Sequence, residues 1–311
     1  MLMINLVSSW FKVSLSCLAL VFSVSVLAEV RIQDSQGEQV FSQTPVRIAA
    51  LSWELVEDVI ELGLEPVAIP EREAYQEWVA QPVLPASSVD IGGRAEPNLE
   101  KLAQLKPDVI LIGAALKDIQ AKLERIAPVV FFDTYQRDHN NQEKADQVFL
   151  TLAKLLDKEA HAQAKLAARQ QVFEQLRGQL NAAFPAGLPK VTSLRFASTT
   201  SAYVYGDNAM PQYALEHLGL QTAMPLASTQ WGVTQKRLKS LRGIKEGVVL
   251  YFKPFHFEKK LAKSPLWRSM PFVKQGNVAS VASTWTYGGA MSLQYLAQAM
   301  TDSLLEVAKQ Q

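Results

Sequence analysis

The feature that most constrains this fold is one long helical stretch between two halves of alternating pattern. Residues 142–183 are rich in Ala, Leu, Gln, Lys and Glu, contain no proline and include a single glycine, Gly178. A break near Leu156-Asp157 divides the stretch, and its second part, about residues 161–184, exceeds the usual helix length. The sequence therefore predicts two lobes joined by a single backbone helix.

Short apolar runs alternate with segments of helical spacing on both sides of that stretch. Strands that alternate with helices pair in parallel, so the predicted fold class is α/β, with a parallel central sheet in each lobe. The predicted strands lie at residues 46–51, 66–69, 108–113, 128–132, 191–196 and 247–252. The predicted helices outside the long stretch lie at residues 53–62, 97–104, 116–126, 210–218 and 287–309.

The first 28 residues have the pattern of a secretory leader. Lys12 is their only charge, an apolar run from Val13 to Leu27 follows it, and Ala28 places a small residue at the cleavage position. The run is shorter than the ~20 apolar residues that a membrane-spanning helix needs. We therefore expect cleavage after residue 28 and a periplasmic location. The expected organisation is a leader over 1–28, an N-terminal lobe over 29–156, a connecting helix over 157–184 and a C-terminal lobe over 185–311.

Charge and cysteine content exclude several classes of protein. The formal net charge is +1, and removal of the leader with Lys12 leaves a balance near zero. A nearly neutral chain argues against nucleic acid or an anionic membrane as the main partner. Cys17 is the one cysteine of the chain and lies in the leader. We therefore expect no disulfide, iron–sulfur or thiolate–zinc site in the mature chain.

Motifs spread along the chain carry a resemblance to a known family. The most informative is Asp90-Ile91-Gly92-Gly93-Arg94-Ala95-Glu96-Pro97-Asn98-Leu99-Glu100. Others are Tyr75-Gln76-Glu77-Trp78-Val79, Trp231-Gly232-Val233, Ser264-Pro265-Leu266-Trp267, Met270-Pro271-Phe272-Val273 and Trp285-Thr286-Tyr287-Gly288. In their order and spacing, the chain resembles the helical-backbone periplasmic binding proteins of ABC importers. Within that class it is most similar to the ferric hydroxamate-binding proteins of Gram-negative bacteria.

The resemblance implies a shallow cleft between the lobes that holds a ferric siderophore. The arginine of the family matches Arg94, and its aromatic wall matches Trp78, Trp231, Trp285 and Tyr287. A hydroxamate siderophore surrounds iron with oxygen atoms, for which a guanidinium is a natural donor. Aromatic rings give rigid apolar contact to the carbon backbone of such a ligand. The alternative is that Arg94 is a surface charge and that the rings pack within a lobe.

Four further aromatic residues have less definite roles. We assign Trp53 and Trp267 to packing. Tyr203 and Tyr205 flank an apolar alternation and fit either a strand or the rim of the cleft.

One position departs from the family pattern. Where ferrichrome-type binders carry a tyrosine after the third strand, this chain has Leu116, followed by Lys117. Loss of that hydroxyl removes a donor to the iron-bound oxygens, so ferrichrome itself is not the expected ligand. We hypothesise that Leu116 and Lys117 serve a different hydroxamate, such as a citrate-based siderophore of the aerobactin type with free carboxylates.

The family docks onto its permease through one acidic residue on each lobe. Glu100 matches the position on the N-terminal lobe, with Glu96 as a second candidate one turn earlier; the alternative is a first-turn glutamate favoured by the helix dipole. Lys236 stands where the C-terminal lobe usually has an acid. Either another acid, such as Glu246 or Glu258, takes this role, or the partner surface differs. The implied partners are an ABC permease and its ATPase, with the binding protein itself a monomer.

The sequence does not support an enzyme. It has no Gly-x-Ser-x-Gly elbow, no phosphate-binding Walker loop and no His-Glu-x-x-His motif. His139, His161, His217 and His256 lack the spacing of metal ligands, although His256 lies among Phe255 and Phe257 and is a candidate for ligand contact. We therefore expect no intrinsic cofactor, with ferric iron bound only as its siderophore complex.

Two rival functions remain open from the sequence. The same fold also carries catechol siderophores, haem or cobalamin. Catechol complexes are highly anionic and usually need several basic residues, whereas the sequence offers Arg94 and Lys117. The second rival is a sensor that binds ligand without feeding an importer.

Overall fold

The computed structural model describes residues 29–310, which form two α/β lobes around a long helix. The predicted leader, with Cys17, lies outside the described residues. An antiparallel hairpin of β1 (Val30–Gln33) and β2 (Glu38–Phe41) precedes the first lobe. No helix in the described part of the chain is long and apolar enough to cross a membrane.

The N-terminal lobe is built on a five-stranded parallel sheet in the order β5-β4-β3-β6-β7. Its strands are short and mostly buried on both faces, as expected where helices cover a parallel sheet. The strands are β3 (Ile48–Ala50), β4 (Ala68–Ile69), β5 (Val89–Asp90), β6 (Val109–Ile112) and β7 (Val129–Phe131). The helices are α1 (Trp53–Glu61), α2 (Arg72–Trp78), α3 (Leu99–Gln104) and α4 (Gln120–Leu123), the last preceded by a 3₁₀ helix at Ala114–Ile119.

Two helices follow the first sheet, and the break predicted near Leu156-Asp157 separates them. They are α5 (Asn141–Leu155) and α6 (Glu159–Ala183). Asp157 has a left-handed backbone with φ of 57°, a conformation that Asp tolerates better than most residues. The 25 residues of α6 span about 37 Å at 1.5 Å per residue. Ala162 of α6 packs in the core of the N-terminal lobe and Phe173 in that of the C-terminal lobe, so α6 joins the two.

The C-terminal lobe has a mixed sheet in the order β10-β9-β8-β11-β12. Strands β8, β11 and β12 are parallel, whereas β9 and β10 form an antiparallel meander at the edge. The strands are β8 (Val191–Phe196), β9 (Ser201–Tyr205), β10 (Val233–Arg237), β11 (Val248–Phe252) and β12 (Val278–Val281). The helices are α7 (Met210–His217), α8 (Glu258–Ala262), α9 (Pro265–Arg268), α10 (Pro271–Lys274) and α11 (Ser292–Ala308), with a 3₁₀ helix at Leu238–Gly243.

The predicted α/β class is confirmed, and several local predictions differ from the structure. The helix predicted at residues 116–126 is a 3₁₀ helix up to Ile119 and an α-helix only at Gln120–Leu123. The meander replaces purely parallel pairing in the second sheet, because only four residues separate β8 from β9 and a parallel crossover needs a dozen or more. The terminal helix begins at Ser292 instead of residue 287. Gly288 and Gly289 lie so close to Glu57, Asp58 and Ser292 that neither position has room for a Cβ atom, and the segment before α11 therefore packs as a loop.

Candidate ligand cleft

A cavity of about 550 Å³ lies between the two lobes at the carboxyl ends of their central strands. Ligands of open α/β sheets generally bind outside these ends. Residues from both halves of the chain line the cavity. They are Leu51, Ser52, Trp53, Glu54, Glu71, Arg94, Ala95, Gly113, Ala114, Ala115, Leu116, Phe132, Thr134, Tyr135, Arg195, Tyr203, Trp231, Val233, Trp285 and Tyr287.

Arg94 lies in the loop between β5 and α3 and is held on two sides. Its Nε donates a hydrogen bond to the Glu71 carboxylate at 2.7 Å, and its backbone N–H donates to the same carboxylate at 3.2 Å. Its guanidinium carbon lies 3.7 Å from the ring centre of Trp53 and 5.4 Å from that of Trp285. Within residues 29–310, no acceptor bonds to its two terminal nitrogens, which are therefore the donors that Arg94 can offer to a ligand.

The aromatic rings form one continuous wall that crosses from lobe to lobe. Trp53 of α1 meets Trp285 edge to face at 4.7 Å, Trp285 meets Tyr287 at 5.4 Å, and Tyr287 meets Trp231 at 5.7 Å. Tyr135 stacks on Trp231 at 6.2 Å. Trp231 is 46% exposed and lines the cavity. The wall therefore offers contact area at little cost in side-chain entropy.

The segment that carries Trp285 and Tyr287 is held by α1 and α6. On α1, Glu57 accepts hydrogen bonds from the Gly289 N–H at 2.7 Å and from the Ser292 hydroxyl, and Asp58 accepts one from the Ala290 N–H at 3.1 Å. Burial raises the pKa of both carboxyl groups well above the usual range.

Further hydrogen bonds secure the same segment from other directions. The Tyr135 hydroxyl donates to the Gly288 carbonyl oxygen at 2.5 Å. Arg169 of α6 donates to the Ala290 carbonyl oxygen at 2.7 Å and binds both oxygens of Asp146. The aromatic wall is thus positioned by contacts that tie the C-terminal segment to the N-terminal lobe and to α6.

The structure brings five of the seven predicted ligand residues together in the cavity lining: Arg94, Trp231, Tyr287, Trp285 and Leu116. Leu116 is buried on the 3₁₀ helix that follows β6. Trp78 lies at the end of α2, half-buried, with its ring 5.3 Å from the guanidinium carbon of Arg195 and outside the lining itself. Lys117 is exposed and also outside the lining, with its Nζ 5.3 Å from the Phe131 ring.

Several residues of the lining were not identified from the sequence. Trp53, which we assigned to packing, is buried and also forms the platform under Arg94. Tyr135, Glu71 and Arg195 had no role in the sequence analysis. For Arg195 a signal existed, since it is a single charge near the carboxyl end of the apolar strand β8, the edge at which ligands bind.

The remaining candidate residues lie outside the cavity. Glu100 is exposed in the first turn of α3, and Glu96 is exposed in the preceding loop. On the C-terminal lobe, Glu246 is exposed, whereas Glu258 accepts a hydrogen bond from the Tyr251 hydroxyl. The Nε2 of His256 lies 3.3 Å from Glu77 of α2, at the surface between the lobes.

Comparison with known proteins gives consistent matches along the chain. A family model described as periplasmic binding protein matches residues 48–237. The iron(3+)-hydroxamate-binding protein FhuD of Escherichia coli is 29% identical over 264 residues, which is 84% of this chain and 87% of that protein. The Fe(3+)-citrate-binding protein YfmC of Bacillus subtilis is 29% identical over 278 residues, 82% of this chain and 79% of that protein.

A solved structure extends the match to three dimensions. It is that of the Fe3+–Desferal-bound siderophore-binding protein FhuD from Vibrio cholerae. It superposes with a TM-score of 0.83 at 51% identity, covering 84% of this chain and 98% of that chain. A match of this extent includes both lobes and therefore the cleft between them.

Proposed function

This chain belongs to the periplasmic binding protein family, and from that premise we propose that it binds a ferric siderophore in the interlobe cleft and delivers it to an ABC importer of the inner membrane. One observation carries the proposal. A guanidinium with free terminal donors faces a cavity whose aromatic wall comes from both lobes. The relatives that bind iron(3+)-hydroxamate and Fe3+–Desferal support the same ligand class.

The chemistry of the cleft favours a hydroxamate chelate. The terminal nitrogens of Arg94 donate to iron-bound oxygens, while the rings contact the carbon chain that links the chelating groups. The charged side chains of the lining are two carboxylates, Glu54 and Glu71, and two guanidinium groups, Arg94 and Arg195. Such a nearly balanced set suits a chelate of low charge better than a tricatecholate, which carries several negative charges.

We propose that iron binds to the protein only as cargo inside its chelate. Within residues 29–310, no group of three or more histidine, cysteine, aspartate or glutamate side chains is placed to hold a metal ion. We propose that the protein recognises the outer surface of the complex through Arg94 and the aromatic wall. Because α6 and the segment 288–292 are hydrogen-bonded to the N-terminal lobe, we expect binding to involve only a small closure of the cleft.

Ligand titration tests the proposal. Purified protein is mixed with ferric desferrioxamine B, ferric aerobactin, a ferric tricatecholate and haem, and tryptophan fluorescence reports binding. We expect binding of the ferric hydroxamates, and we expect Arg94→Gln to weaken it about tenfold to a hundredfold, the range for a lost charge-assisted hydrogen bond. Arg125→Gln, an exposed change on the same lobe, is the control. If haem or the tricatecholate binds tightly and none of the ferric hydroxamates binds, the proposed ligand class is wrong.

Delivery to the permease is assigned to the acidic surface of the N-terminal lobe. We propose Glu100 as the docking residue, with Glu96 beside it. Glu100→Lys should reduce siderophore uptake by whole cells while leaving the affinity for the chelate unchanged. Glu73→Lys is a matched control, because Glu73 is also an exposed first-turn glutamate of a short helix. Equal uptake by the two variants would remove the assignment.

The cellular location and oligomeric state complete the proposal. We propose a monomer that is exported to the periplasm and trimmed after Ala28. Mass spectrometry of protein from the periplasmic fraction should give a mature chain that begins at Glu29. A mass that includes residues 1–28 would contradict the cleavage.

A further inference from the structure

Arg195 is the second guanidinium of the cleft and comes from the opposite lobe to Arg94. It lies near the carboxyl end of β8, where its neighbours Leu194 and Phe196 are buried in the core. Its guanidinium carbon lies 5.3 Å from the ring centre of Trp78 and 5.8 Å from that of Tyr203. A half-buried cation is thus flanked by one ring from each lobe, at the edge of the cavity that it lines.

The guanidinium groups of the two arginines differ in their hydrogen-bond and ion-pair partners. Arg94 is ion-paired with Glu71 at 2.7 Å. The side chain of Arg195 makes no hydrogen bond or ion pair with any residue between 29 and 310, and its guanidinium lies over the faces of the two rings. Ring faces stabilise the charge of a guanidinium but accept none of its five N–H donors, which point outward in the plane of the group. Partial burial of a guanidinium whose N–H groups have no acceptors costs free energy, unless a ligand or water provides the acceptors.

The charges that line the cavity also indicate that Arg195 is available to a ligand. Glu71 offsets the charge of Arg94, and the Glu54 carboxylate accepts a hydrogen bond from the Ser52 hydroxyl at 2.8 Å. Arg195 is therefore the cation of the lining without a partner carboxylate. Its charge also acts on the aromatic wall, because it partly opposes the rise in the pKa of Tyr287 that burial causes.

We infer that Arg195 binds a free carboxylate of the siderophore, so that the cleft selects ferric hydroxamates that carry such a group outside the iron centre. The planar fork of arginine matches the two oxygens of a carboxylate, whereas iron-bound hydroxamate oxygens share their charge with the metal. This inference rests on the proposed function and refines it. Lys117, to which the sequence analysis gave this role, lies outside the cavity lining.

Two sets of matched ligands isolate the carboxylate. The first is ferric desferrioxamine B with its pendant amine free, acetylated or succinylated, which changes the pendant charge from positive through neutral to negative on one chelate. The second is ferric aerobactin against its counterpart without the two lysine-derived carboxylates. Dissociation constants are measured at fixed ionic strength for the wild type, Arg195→Gln and Arg195→Lys. Lys117→Gln serves as the control.

The expected result is a preference of about tenfold or more for the carboxylate-bearing ligand in at least one set. Arg195→Gln should abolish that preference, and measurable binding of the neutral acetylated chelate should show that the cleft is intact. Arg195→Lys should retain part of the preference, and Lys117→Gln all of it. The inference is overturned if neither set shows a preference, or if the preference persists in Arg195→Gln. A folded wild type that binds none of the chelates would instead remove the proposed function.

Discussion

Replacing Arg169 with methionine tests whether the backbone helix holds the cleft in its binding geometry. Arg169 is 7% exposed on α6. Its guanidinium donates two hydrogen bonds to Asp146, at 2.7 and 2.6 Å, and a third to the Ala290 carbonyl oxygen at 2.7 Å. Methionine keeps much of the apolar stem and removes all three bonds.

The magnitude follows from what the substitution leaves behind. Removing one partner of a buried ion pair costs about 3–5 kcal/mol. The side chain of Asp146 is 24% exposed, so water restores part of its solvation and the lower end of that range applies. The Ala290 carbonyl group is buried and loses its donor, which adds about 1 kcal/mol. We expect the free energy of unfolding to fall by about 4 kcal/mol in total.

The assay is urea denaturation followed by far-ultraviolet circular dichroism and by tryptophan fluorescence. The midpoint should shift to lower urea at an unchanged m-value. Affinity for the ferric chelate should also fall, because Ala290 belongs to the segment that presents Trp285 and Tyr287. Arg177→Met is the matched control on the same helix, since Arg177 is exposed and donates only to the His217 carbonyl oxygen. Its unfolding free energy should stay within about 1 kcal/mol of wild type.

Arg169→Met would refute this role of α6 if its free energy of unfolding stayed within about 1 kcal/mol of the wild type and its affinity for the chelate were unchanged. In that case the contacts between α6 and the segment 288–292 would contribute neither to stability nor to the shape of the cleft.

Three further predictions follow from the same contacts. Because burial raises the pKa of Glu57, the native state keeps a proton that the unfolded chain releases, so stability should fall as pH rises from about 4, the range of free carboxyl groups. Glu57→Gln should flatten that decline in urea midpoints between pH 5 and pH 8, and parallel curves for the two proteins would contradict it. Gly289→Ala should lower the free energy of unfolding by about 1–3 kcal/mol, because its methyl group would overpack against Asp58. Gly178→Ala has open space around it and should be neutral or stabilising. Equal denaturation midpoints for the two variants would contradict the close contact between Gly289 and Asp58. Trp231→Ala should change the unfolding free energy by less than about 1 kcal/mol yet weaken the chelate at least tenfold, and unchanged affinity would remove Trp231 from the site.

Local pattern was enough to predict the fold class, the long helix and the central strands of both lobes. The strand at Val191–Phe196 has the predicted bounds, and all its residues except the half-buried Arg195 are buried. The helix α1 ends near Gly63, whose left-handed backbone with φ of 78° is a common way to end a helix. Short elements such as β4 and α2 depend on tertiary contacts, and the start of α11 depends on carboxylates more than 200 positions away in the chain.

Residues of the candidate site could be predicted only where a side chain is of an unusual type for its position in the sequence. Arg94 beside two glycines and Trp231 in a loop stand out in the sequence, and both line the cavity. Trp53 fits a helix core equally well, so nothing local distinguishes its contact with Arg94. Glu71 and Tyr135 lie in the cleft because of backbone turns and because elements that are distant in sequence pack together. No local pattern in a single sequence indicates such packing.

The most direct measurement is a crystal structure of residues 29–311 with a ferric trihydroxamate. We expect the chelate to fill the cavity between the lobes. Its iron-bound oxygens should lie about 2.7–3.2 Å from the terminal nitrogens of Arg94, its carbon chain should rest against Trp231 and Tyr287, and no protein atom should coordinate the iron. A chelate seated elsewhere, or a protein side chain bound to the metal, would contradict the account.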